Sequence, residues 1–379
     1  MSVRQLSEAD LDRLFALRQL SFLDDSNFRD PGVRARHVAR LQLTFGHFIE
    51  ERLTSAAVCF PFEMFLASRR VAVGGLASVL SAPETRRRGY VRELLHALLN
   101  DLKEKGTGWM LEYPFDPRFY ARYGFASMPT GAELTIPAES LFRGPSPDAE
   151  RLGGDPASIL EPIYNAWAQT YSLALCRDNK ARPTWNRILG NRICYLLEDA
   201  YVVFELAERA ERQTLTVHDY AFSSPAGRDN LFRFVGSFYG QVQDISLHLP
   251  SDEPLALELR YRTNDVPLQA RIADVTAALT PLTSEHESTA TLHVRDEFCA
   301  WNNGTFRLGF SPNGTTVSRS DADPDAALDI ATLTQLVTGA LSPTAVLKTG
   351  QAKGDLGVLE LLAALSGGRV PFIPGSDYF

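Results

Sequence analysis

The 379-residue sequence predicts an α+β protein of three consecutive units, and three features lead to this prediction. The chain is longer than one typical domain of about 100 to 200 residues. Residues 1–145 and 146–286 each alternate short apolar stretches of strand type with amphipathic helices. Residues 287–379 begin with strands of alternating polarity and continue with helices and an irregular tail. We therefore expect mixed central sheets flanked by helices in the first two units and a smaller α+β unit at the end.

Composition and charge restrict the class of protein. The fractions of hydrophobic residues, 45%, and charged residues, 22%, are ordinary for a globular protein. No apolar run approaches the roughly 18 residues that span a bilayer, so no membrane partner is expected. The N-terminus lacks the basic and then apolar pattern of a signal peptide, which predicts a cytoplasmic location. A net charge of −8 argues against nucleic-acid binding and weakly favours a cationic substrate.

Cysteines and histidines are spaced without the pattern of a metal site. The four cysteines, at 59, 176, 194 and 299, are far apart, and the seven histidines form no His-x-x-x-His pair. Metal ligands normally occur in closely spaced groups. We therefore predict no metal and four reduced cysteines packed in the core.

The first candidate binding site lies between a predicted strand, residues 76–80, and a predicted helix. The leucines of that helix, between 94 and 102, recur at three- and four-residue spacing and so form one buried face. Three arginines, 86–88, and Gly89 precede it. Unpaired N–H groups at a helix N-terminus attract phosphate, and a glycine lets a ligand approach the backbone closely. A pyrophosphate site is predicted, with a solvated basic turn as the alternative.

A second motif follows about thirty residues later. A strand is predicted over 109–113, two prolines flank Phe115 and Asp116, and the sequence Phe-Tyr-Ala-Arg-Tyr-Gly-Phe occupies 119–125. On spacing alone, Tyr120 is best explained as a packed ring between its aromatic neighbours. The pair 115–116 fits an ordinary turn fixed by prolines.

The two remaining units are predicted from turn signals and periodicity. Residues 142–148 are rich in Gly, Pro and Ser and form the first boundary. Residues 158–285 repeat the strand and helix pattern of the first unit but carry neither of its motifs, so this unit is predicted to be non-catalytic. Strands at 290–294, 305–310 and 315–320 are joined through Asn303-Gly304 and Asn313-Gly314, which are strong hairpin signals.

The two motifs together resemble the GNAT N-acetyltransferase superfamily. Residues 87–92, Arg-Arg-Gly-Tyr-Val-Arg, resemble its (Gln/Arg)-x-x-Gly-x-(Gly/Ala) acetyl-CoA loop, with Val91 in place of the last small residue. Residues 119–125 resemble its Tyr-x-x-x-Gly-Phe element. Ala-Pro-Glu-Thr-Arg-Arg-Arg-Gly at 82–89 and the terminal Phe379 are similar to the Eis (enhanced intracellular survival) aminoglycoside and protein acetyltransferases. This resemblance implies a catalytic GNAT domain at 1–145, a degenerate one at 146–286 and a sterol-carrier-like domain at 287–379.

The resemblance also implies the cosubstrate, acetyl-CoA, and the residues that contact it. The backbone of residues 79–81 would pair with the pantetheine arm, the loop at 87–92 would hold the pyrophosphate, and residues 115 and 116 match two further contact positions. The implied contacts are Val79, Leu80, Ser81, Arg87, Arg88, Gly89, Tyr90, Val91, Arg92, Phe115 and Asp116.

Acetyl transfer to an amine requires proton movements at both reacting partners. An alkyl amine of pKa about 10.4 is protonated at pH 7 and must lose a proton, whereas the departing thiolate, of thiol pKa about 8.5, benefits from gaining one. The resemblance implies that Tyr120 is the acid and that the α-carboxylate of Phe379 is the base, brought into the active site by the C-terminal tail. It further implies acidic substrate contacts, here Asp24, Asp25 and Asp377.

The predicted function is acetyl transfer to a primary amine by direct attack within a ternary complex. The acceptor classes are aminoglycosides, polyamines and lysine side chains of peptides. The resemblance implies a homo-oligomer, in the Eis family a hexamer. Two alternatives remain: a lipid- or sterol-binding protein that works through its C-terminal domain, and an inactive GNAT scaffold.

Overall fold

A computed structural model describes residues 2–22, 26–178, 182–209, 212–255, 262–264 and 268–379. In these ranges the chain forms two seven-stranded sheets and one five-stranded sheet, with helices packed on them. The α+β class with mixed sheets is confirmed. No helix in the described ranges is both long and apolar enough to cross a membrane.

The first part of the chain supplies most of the first sheet. Its elements are β1 (Ser2–Gln5), α1 (Leu11–Phe22), α2 (Pro31–Val38), β2 (Thr44–Ile49), β3 (Arg52–Leu66), β4 (Arg69–Ser81), α3 (Tyr90–Glu104), β5 (Trp109–Glu112), α4 (Pro117–Ala121) and β6 (Ala126–Met128). The helix α3 has the buried leucine face that its spacing predicts.

The second part forms the second sheet. Its elements are β7 (Ala132–Pro137), β8 (Glu150–Leu152), α5 (Ala157–Ala168), α6 (Arg182–Leu189), β9 (Ile193–Leu197), β10 (Ala200–Arg209), β11 (Arg212–Phe222), α7 (Pro225–Gly236), β12 (Asp244–Leu249) and β13 (Arg262–Asn264).

The last part begins with a strand of the first sheet and continues with the five-stranded sheet. Its elements are β14 (Leu268–Ile272), α8 (Val275–Leu279), β15 (Ser288–Arg295), β16 (Gly304–Phe310), β17 (Thr316–Arg319), β18 (Ala326–Asp329), α9 (Ile330–Val337), α10 (Pro343–Lys348), β19 (Ala352–Gly354) and α11 (Leu356–Ala364).

Two strands are exchanged between the first and second sheets. The orders are β1-β2-β3-β4-β5-β14-β6 and β13-β7-β12-β11-β10-β9-β8. Thus β7, before position 145, joins the second sheet, and β14, after position 145, lies between β5 and β6 of the first. Turn composition marks where the chain leaves a strand but not which sheet that strand joins. The divisions at 145 and 286 therefore fall in loops but do not separate the sheets.

The two Asn-Gly pairs do not form two-residue hairpin turns, although the strands beside them pair as predicted. Residues 296–303 connect β15 to β16, and Gly304 is already the first residue of β16. Asp296 holds this longer connection, because its Oδ1 accepts from the N–H groups of Phe298 and Cys299 at 3.1 and 3.0 Å. Gly314, with φ of +140°, lies in a five-residue connection, 311–315.

The C-terminal unit packs against the first sheet through a shared core. One apolar cluster includes Met64 and Trp109 of the first sheet together with Leu292 and Leu333 of the C-terminal unit. A second cluster fills the second sheet and includes Phe372 of the tail. The tail therefore leaves the C-terminal unit and is buried in the core of the second sheet before it ends.

Candidate active site

Strands β4 and β5 run parallel and then separate, and the gap between them is the center of the candidate site. Their pairing runs from Val73 with Trp109 to Leu76 with Glu112. β4 continues to Ser81, but there it pairs only with β3 on its other side. The backbone groups of residues 77–81 that face β5 therefore lack a strand partner. We call this opening the fork.

A β-bulge in β4 opens the fork. Residues 78 and 79 of β4 together face the single residue Ala57 of β3, and Ser78 has a left-handed φ of +52°. A bulge of this kind bends the strand and increases its twist. Because the bulge begins two residues after Leu76, it directs the end of β4 away from β5.

The loop before α3 has the geometry of an anion site. Gly89 has a φ of +87°, and a Cβ atom placed on it would meet nothing within 4 Å. α3 begins at the next residue, so the unpaired N–H groups of its first turn face this open space. Arg87 and Arg88 are exposed beside it. This backbone fits a pyrophosphate, and the fork fits the amide-bearing arm that would follow it.

The other residues predicted in the loop have buried or packed side chains. Tyr90 is 8% exposed, and its ring stacks on His47 at 4.4 Å. Val91 packs on the core of α3, and the Arg92 guanidinium lies 5.6 Å from the Phe298 ring centroid. Of the loop side chains predicted to contact the cofactor, Arg87 and Arg88 are exposed cations beside Gly89, and Arg92 is an exposed cation over a ring, while Tyr90 can offer its backbone.

Of the two residues predicted to contact the cosubstrate after β5, one has a structural role and the other is exposed. Asp116 caps α4, because its Oδ1 accepts from the N–H of Arg118 at 2.9 Å, and the Arg118 hydrogen bond lowers the Asp116 pKa. Phe115 is 73% exposed, with its ring 5.6 Å from that of Tyr120. Asp116 thus stabilises the short helix that carries Tyr120, and Phe115 is the side chain open to a ligand.

Tyr120 lies in the interior beside a buried carboxyl group that the sequence analysis missed. Tyr120 is 2% exposed and Glu112 is 1% exposed, and the charge of Glu112 acts to raise the pKa of Tyr120. Burial raises the pKa of Glu112 to about 9 and raises the pKa of Tyr120 as well. The available signal was a single acidic residue inside the apolar run 109–112, since a buried carboxyl group requires a partner.

Main-chain hydrogen bonds guide the C-terminal tail towards the fork. Ser172 donates its N–H to Val370 O at 2.9 Å and accepts from the N–H of Phe372 at 2.8 Å. The segment 172–176 is itself bonded to β3, where Phe65 donates to Ala174 O at 2.8 Å. The tail therefore extends the surface of the first sheet next to β3.

Asp377 fixes the end of the tail inside the second unit. Its Oδ1 lies 2.9 Å from Arg177, and its Oδ2 lies 2.7 Å from the Tyr164 hydroxyl. Arg177 also binds Asp219 at 2.8 Å, and all three charged groups are buried. Both Asp377 oxygens thus have buried partners, so this residue anchors the tail here, and its predicted substrate contact stays a prediction.

Phe379 reaches the fork. Its ring centroid lies 5.2 Å from that of Phe62 and 5.3 Å from that of Tyr113. A Cβ atom on Gly75 would lie 2.9 Å from this ring, so a glycine permits the close approach. Gly75 immediately precedes Leu76, where the paired part of the fork ends.

The exposed side chain of Arg187 binds the last residues of the tail, and the sequence did not predict this contact. Its guanidinium donates to the carbonyl of Tyr378 and, at 2.7 Å, to that of Ser376. Such contacts to backbone oxygens depend on the fold and leave no local sequence signal. The tail end is thus bound by side chains of the second unit at two points, Arg177 and Arg187.

Two predicted substrate contacts, Asp24 and Asp25, lie outside the described residues. In the ranges that are described, no group of three or more His, Cys, Asp or Glu side chains is arranged to hold a metal ion. The described site therefore consists of the fork, the loop before α3, Tyr120 with Glu112, and the tail end.

Comparisons with known proteins give the same order of units. Residues 2–128 and 174–275 each match an acetyltransferase (GNAT) domain, and residues 275–374 match a sterol carrier protein domain. An uncharacterised N-acetyltransferase of Streptomyces avermitilis is 26% identical over 344 residues, 80% of this chain and 81% of that protein. The N-acetyltransferase Eis of Mycobacterium tuberculosis is 26% identical over 298 residues, 70% of each chain.

Solved structures share the complete fold. A GCN5-related N-acetyltransferase from Anabaena variabilis superposes with a TM-score of 0.86 at 21% identity, over 100% of both chains. Eis1 from Mycobacterium abscessus superposes with a TM-score of 0.80 at 20% identity, also over 100% of both chains. The likeness extends over all three units and the tail.

Proposed function

Because the chain belongs to the GNAT acetyltransferases and has an Eis-like order of two such domains and a sterol carrier protein domain, we propose that it transfers acetyl from acetyl-CoA to a primary amine. The observation that carries this proposal is the meeting of three parts at the fork. They are the unpaired backbone of β4, the side chain of Tyr120, and the chain terminus at Phe379.

The first task of the site is to bind and orient the cosubstrate, which supplies the acetyl thioester. The exposed guanidinium groups of Arg87 and Arg88 and the first N–H groups of α3 would hold the pyrophosphate. The unpaired groups of residues 77–81 would bind the amide-bearing arm as a neighbouring strand would. The reacting end would then lie beside the end of β5.

The second task is to move protons on the two sides of the fork. The α-carboxylate of Phe379 would accept the proton that an alkyl ammonium group of pKa about 10.4 must lose before it attacks. Tyr120 would donate its proton to the departing thiolate. The two groups belong to different units, so the acceptor and the leaving group would exchange protons with different parts of the chain. The acceptor would attack directly within the ternary complex.

The residues around the chain terminus support an amine acceptor but do not identify which amine it is. The rings of Phe62 and Tyr113 lie beside Phe379 and the Tyr378 ring packs on Tyr113, and aromatic faces attract alkylammonium groups. The hydroxyl of Tyr113 is buried and has no hydrogen-bond partner among the described residues. Aminoglycosides, polyamines and lysine side chains all satisfy this description.

A thiol-release assay tests the proposed function. The purified protein is given acetyl-CoA and, separately, spermine, kanamycin and a lysine-containing peptide, and calorimetry measures acetyl-CoA binding without an acceptor. We expect acetyl-CoA binding and amine-dependent thiol release with at least one acceptor. Binding without thiol release from any amine would contradict the proposal and favour the inactive scaffold, and failure to bind acetyl-CoA would favour the lipid-binding alternative.

The oligomeric state and the cellular location of the protein are also proposals. We expect a homo-oligomer, with the hexamer that the Eis resemblance implies, and light scattering on the eluted protein measures its mass directly. The cytoplasmic location predicted from the N-terminus is tested by fractionation of cells that express the protein.

A further inference from the structure

The second unit has an opening between two parallel strands that is built like the fork of the first unit. Its strands β11 and β12 pair only over residues 214–216 and 244–246. Beyond these residues β11 continues beside β10, and β12 continues beside β7. A β-bulge at His218 lies two positions after the last paired residue of β11, just as the bulge at Ser78 lies two positions after Leu76 in β4. We call this opening the second fork.

The start of the helix that follows the second fork is already occupied by groups of the chain. Gly89 leaves open space before α3, whereas Ser224 caps α7, where its Oγ accepts from the N–H of Gly227 at 3.0 Å. The Asp199 carboxylate lies at the same place, since a Cβ atom on Gly227 would collide with it. A hydroxyl group and a negative charge thus take the position at α7 that a pyrophosphate would need.

The C-terminal tail binds both strands of the second fork. On the side of β11, the Ser376 hydroxyl donates to Asp219 Oδ1 at 2.7 Å, one residue after the bulge. On the side of β12, the N–H of Gly375 donates to His248 Nδ1 at 3.2 Å, and the Phe372 ring lies 5.0 Å from the His248 ring. Burial lowers the pKa of His248 to about 4, so the ring is neutral and can accept this bond. The tail therefore lies across the second fork.

The contact with β11 continues into the buried charges that hold Asp377. Arg177 binds Asp219 at 2.8 Å and also donates to Ser376 Oγ at 2.9 Å. Ser376 is three residues before Phe379, and three residues of extended chain span at most about 10 Å. The position of the tail in the second fork therefore limits where the terminal carboxylate can lie.

We propose that the second fork is a binding site for the C-terminal tail of the same chain, which occupies it in place of a cosubstrate, and that Asp219 and His248 are positioning residues for the chain terminus. The effect on turnover rests on the proposed acetyl transfer. The second unit, which matches an acetyltransferase domain over 174–275, then has a role of its own. It binds the tail, holds Phe379 at the first fork, and leaves each chain with one site for acetyl-CoA rather than two.

Hydrogen exchange on the free wild-type protein tests whether the tail occupies the second fork. Amide groups held by stable contacts exchange only when the structure opens. A fragment that covers residues 370–377 should therefore exchange far more slowly than the same peptide free in solution, and exchange at the rate of the free peptide would overturn the proposal. Because this measurement needs neither acetyl-CoA nor an amine, it decides on the tail site even if acetyl transfer fails.

Calorimetry with acetyl-CoA tests whether the second fork is closed to the cosubstrate. We expect one binding site per chain, and we expect no residual site when Arg87 and Arg88 are both replaced by alanine. Two sites per chain in the wild type, or one remaining site in the double variant, would overturn the proposal, because the second fork would then be open.

The positioning role is tested by a double variant, Ser376→Ala with His248→Phe, which removes a tail contact from each strand of the second fork. We expect kcat to fall by about 10-fold or more, since a misplacement of about 1 Å can cost a large rate factor. The KM and the affinity for acetyl-CoA should be unchanged, because the first fork and its loop are untouched. The matched control is Ser146→Ala with His286→Phe, two exposed positions, and it should keep wild-type kcat.

Two readouts separate positioning from a general loss of structure. Exchange of the tail fragment should become faster in the double variant while exchange of α3 and β5 stays as in the wild type. His248→Asn in place of His248→Phe restores an acceptor for the N–H of Gly375 and should recover part of the lost kcat. Wild-type kcat in the double variant would overturn the positioning role, and a lower kcat without faster exchange of the tail would overturn the tail site.

Discussion

Glu112 and Tyr113 are consecutive at the end of β5, yet they contact different parts of the site. The buried Glu112 carboxyl group acts electrostatically on Tyr120 and raises its pKa, whereas the Tyr113 ring lies 5.3 Å from that of Phe379. Neighbouring residues of an extended chain direct their side chains to opposite faces of a sheet. One strand end therefore separates the proposed acid from the proposed base, and the fork lies between them.

Replacement of Arg87 and Arg88 by alanine tests the cosubstrate loop. Each removes a charge-assisted contact of about 1.5 to 3 kcal/mol, so the KM for acetyl-CoA should rise by 10-fold or more while kcat changes little. Both side chains are exposed, so thermal unfolding should be unaffected. Arg307→Ala, on an exposed position of β16, is the control. Unchanged acetyl-CoA affinity in the double variant would remove the loop from the site.

Tyr120→Phe tests the acid. The change removes one hydroxyl group and little volume, so kcat should fall by about 10²-fold with acetyl-CoA affinity preserved. Tyr123→Phe, three residues later in the same motif, should retain most of the activity. Steady-state kinetics and calorimetry on both variants give the comparison. Equal activities of the two variants would assign Tyr120 a packing role.

The protonation of Glu112 also predicts a pH-dependent effect on stability. Its pKa is about 9 in the folded protein and lies near 4.5 without burial, so folding binds a proton between these values. Stability from this group is fully present below pH 4.5 and is lost as the pH rises to 9, by at most about 1.4 kcal/mol per pH unit. Glu112→Gln should therefore become more stable relative to wild type between pH 6 and 9. A stability difference that is constant with pH would show that Glu112 is ionised.

Arg187→Ala tests whether the second unit positions the chain terminus. Arg187 is exposed and contacts backbone oxygens of the tail, so its loss should lower kcat without a comparable drop in the unfolding temperature. Acetyl-CoA binding should be preserved, because the loop and fork are untouched. Arg151→Ala, on exposed strand β8, provides the control. A wild-type kcat in Arg187→Ala would show that the terminus holds its position without this contact.

The sequence predicted those parts of the site that depend on local patterns. The leucine spacing of α3 and the glycine before it placed the anion loop, and the motif around Tyr120 identified the proposed acid. The sequence could not reveal the contact of Arg177 with Asp377, because the partners are 200 positions apart and pair only in the folded chain. The exchange of β7 and β14 was unpredictable for the same reason. The sequence could have predicted that Glu112 is a buried carboxyl group, since an acidic residue in an apolar strand indicates a buried group that needs a partner.

The role of the chain terminus is tested most directly by the kcat of a protein extended by a few residues beyond Phe379. Each added residue moves the terminal carboxylate by about 3.3 Å, and a misplacement of about 1 Å can already cost a large rate factor. The same tag on the N-terminus serves as the control. We predict that the C-terminal extension abolishes thiol release while acetyl-CoA binding and thermal unfolding are unchanged. Full kcat in the extended protein would contradict the account, because the amine would then lose its proton to a group other than the carboxylate of Phe379.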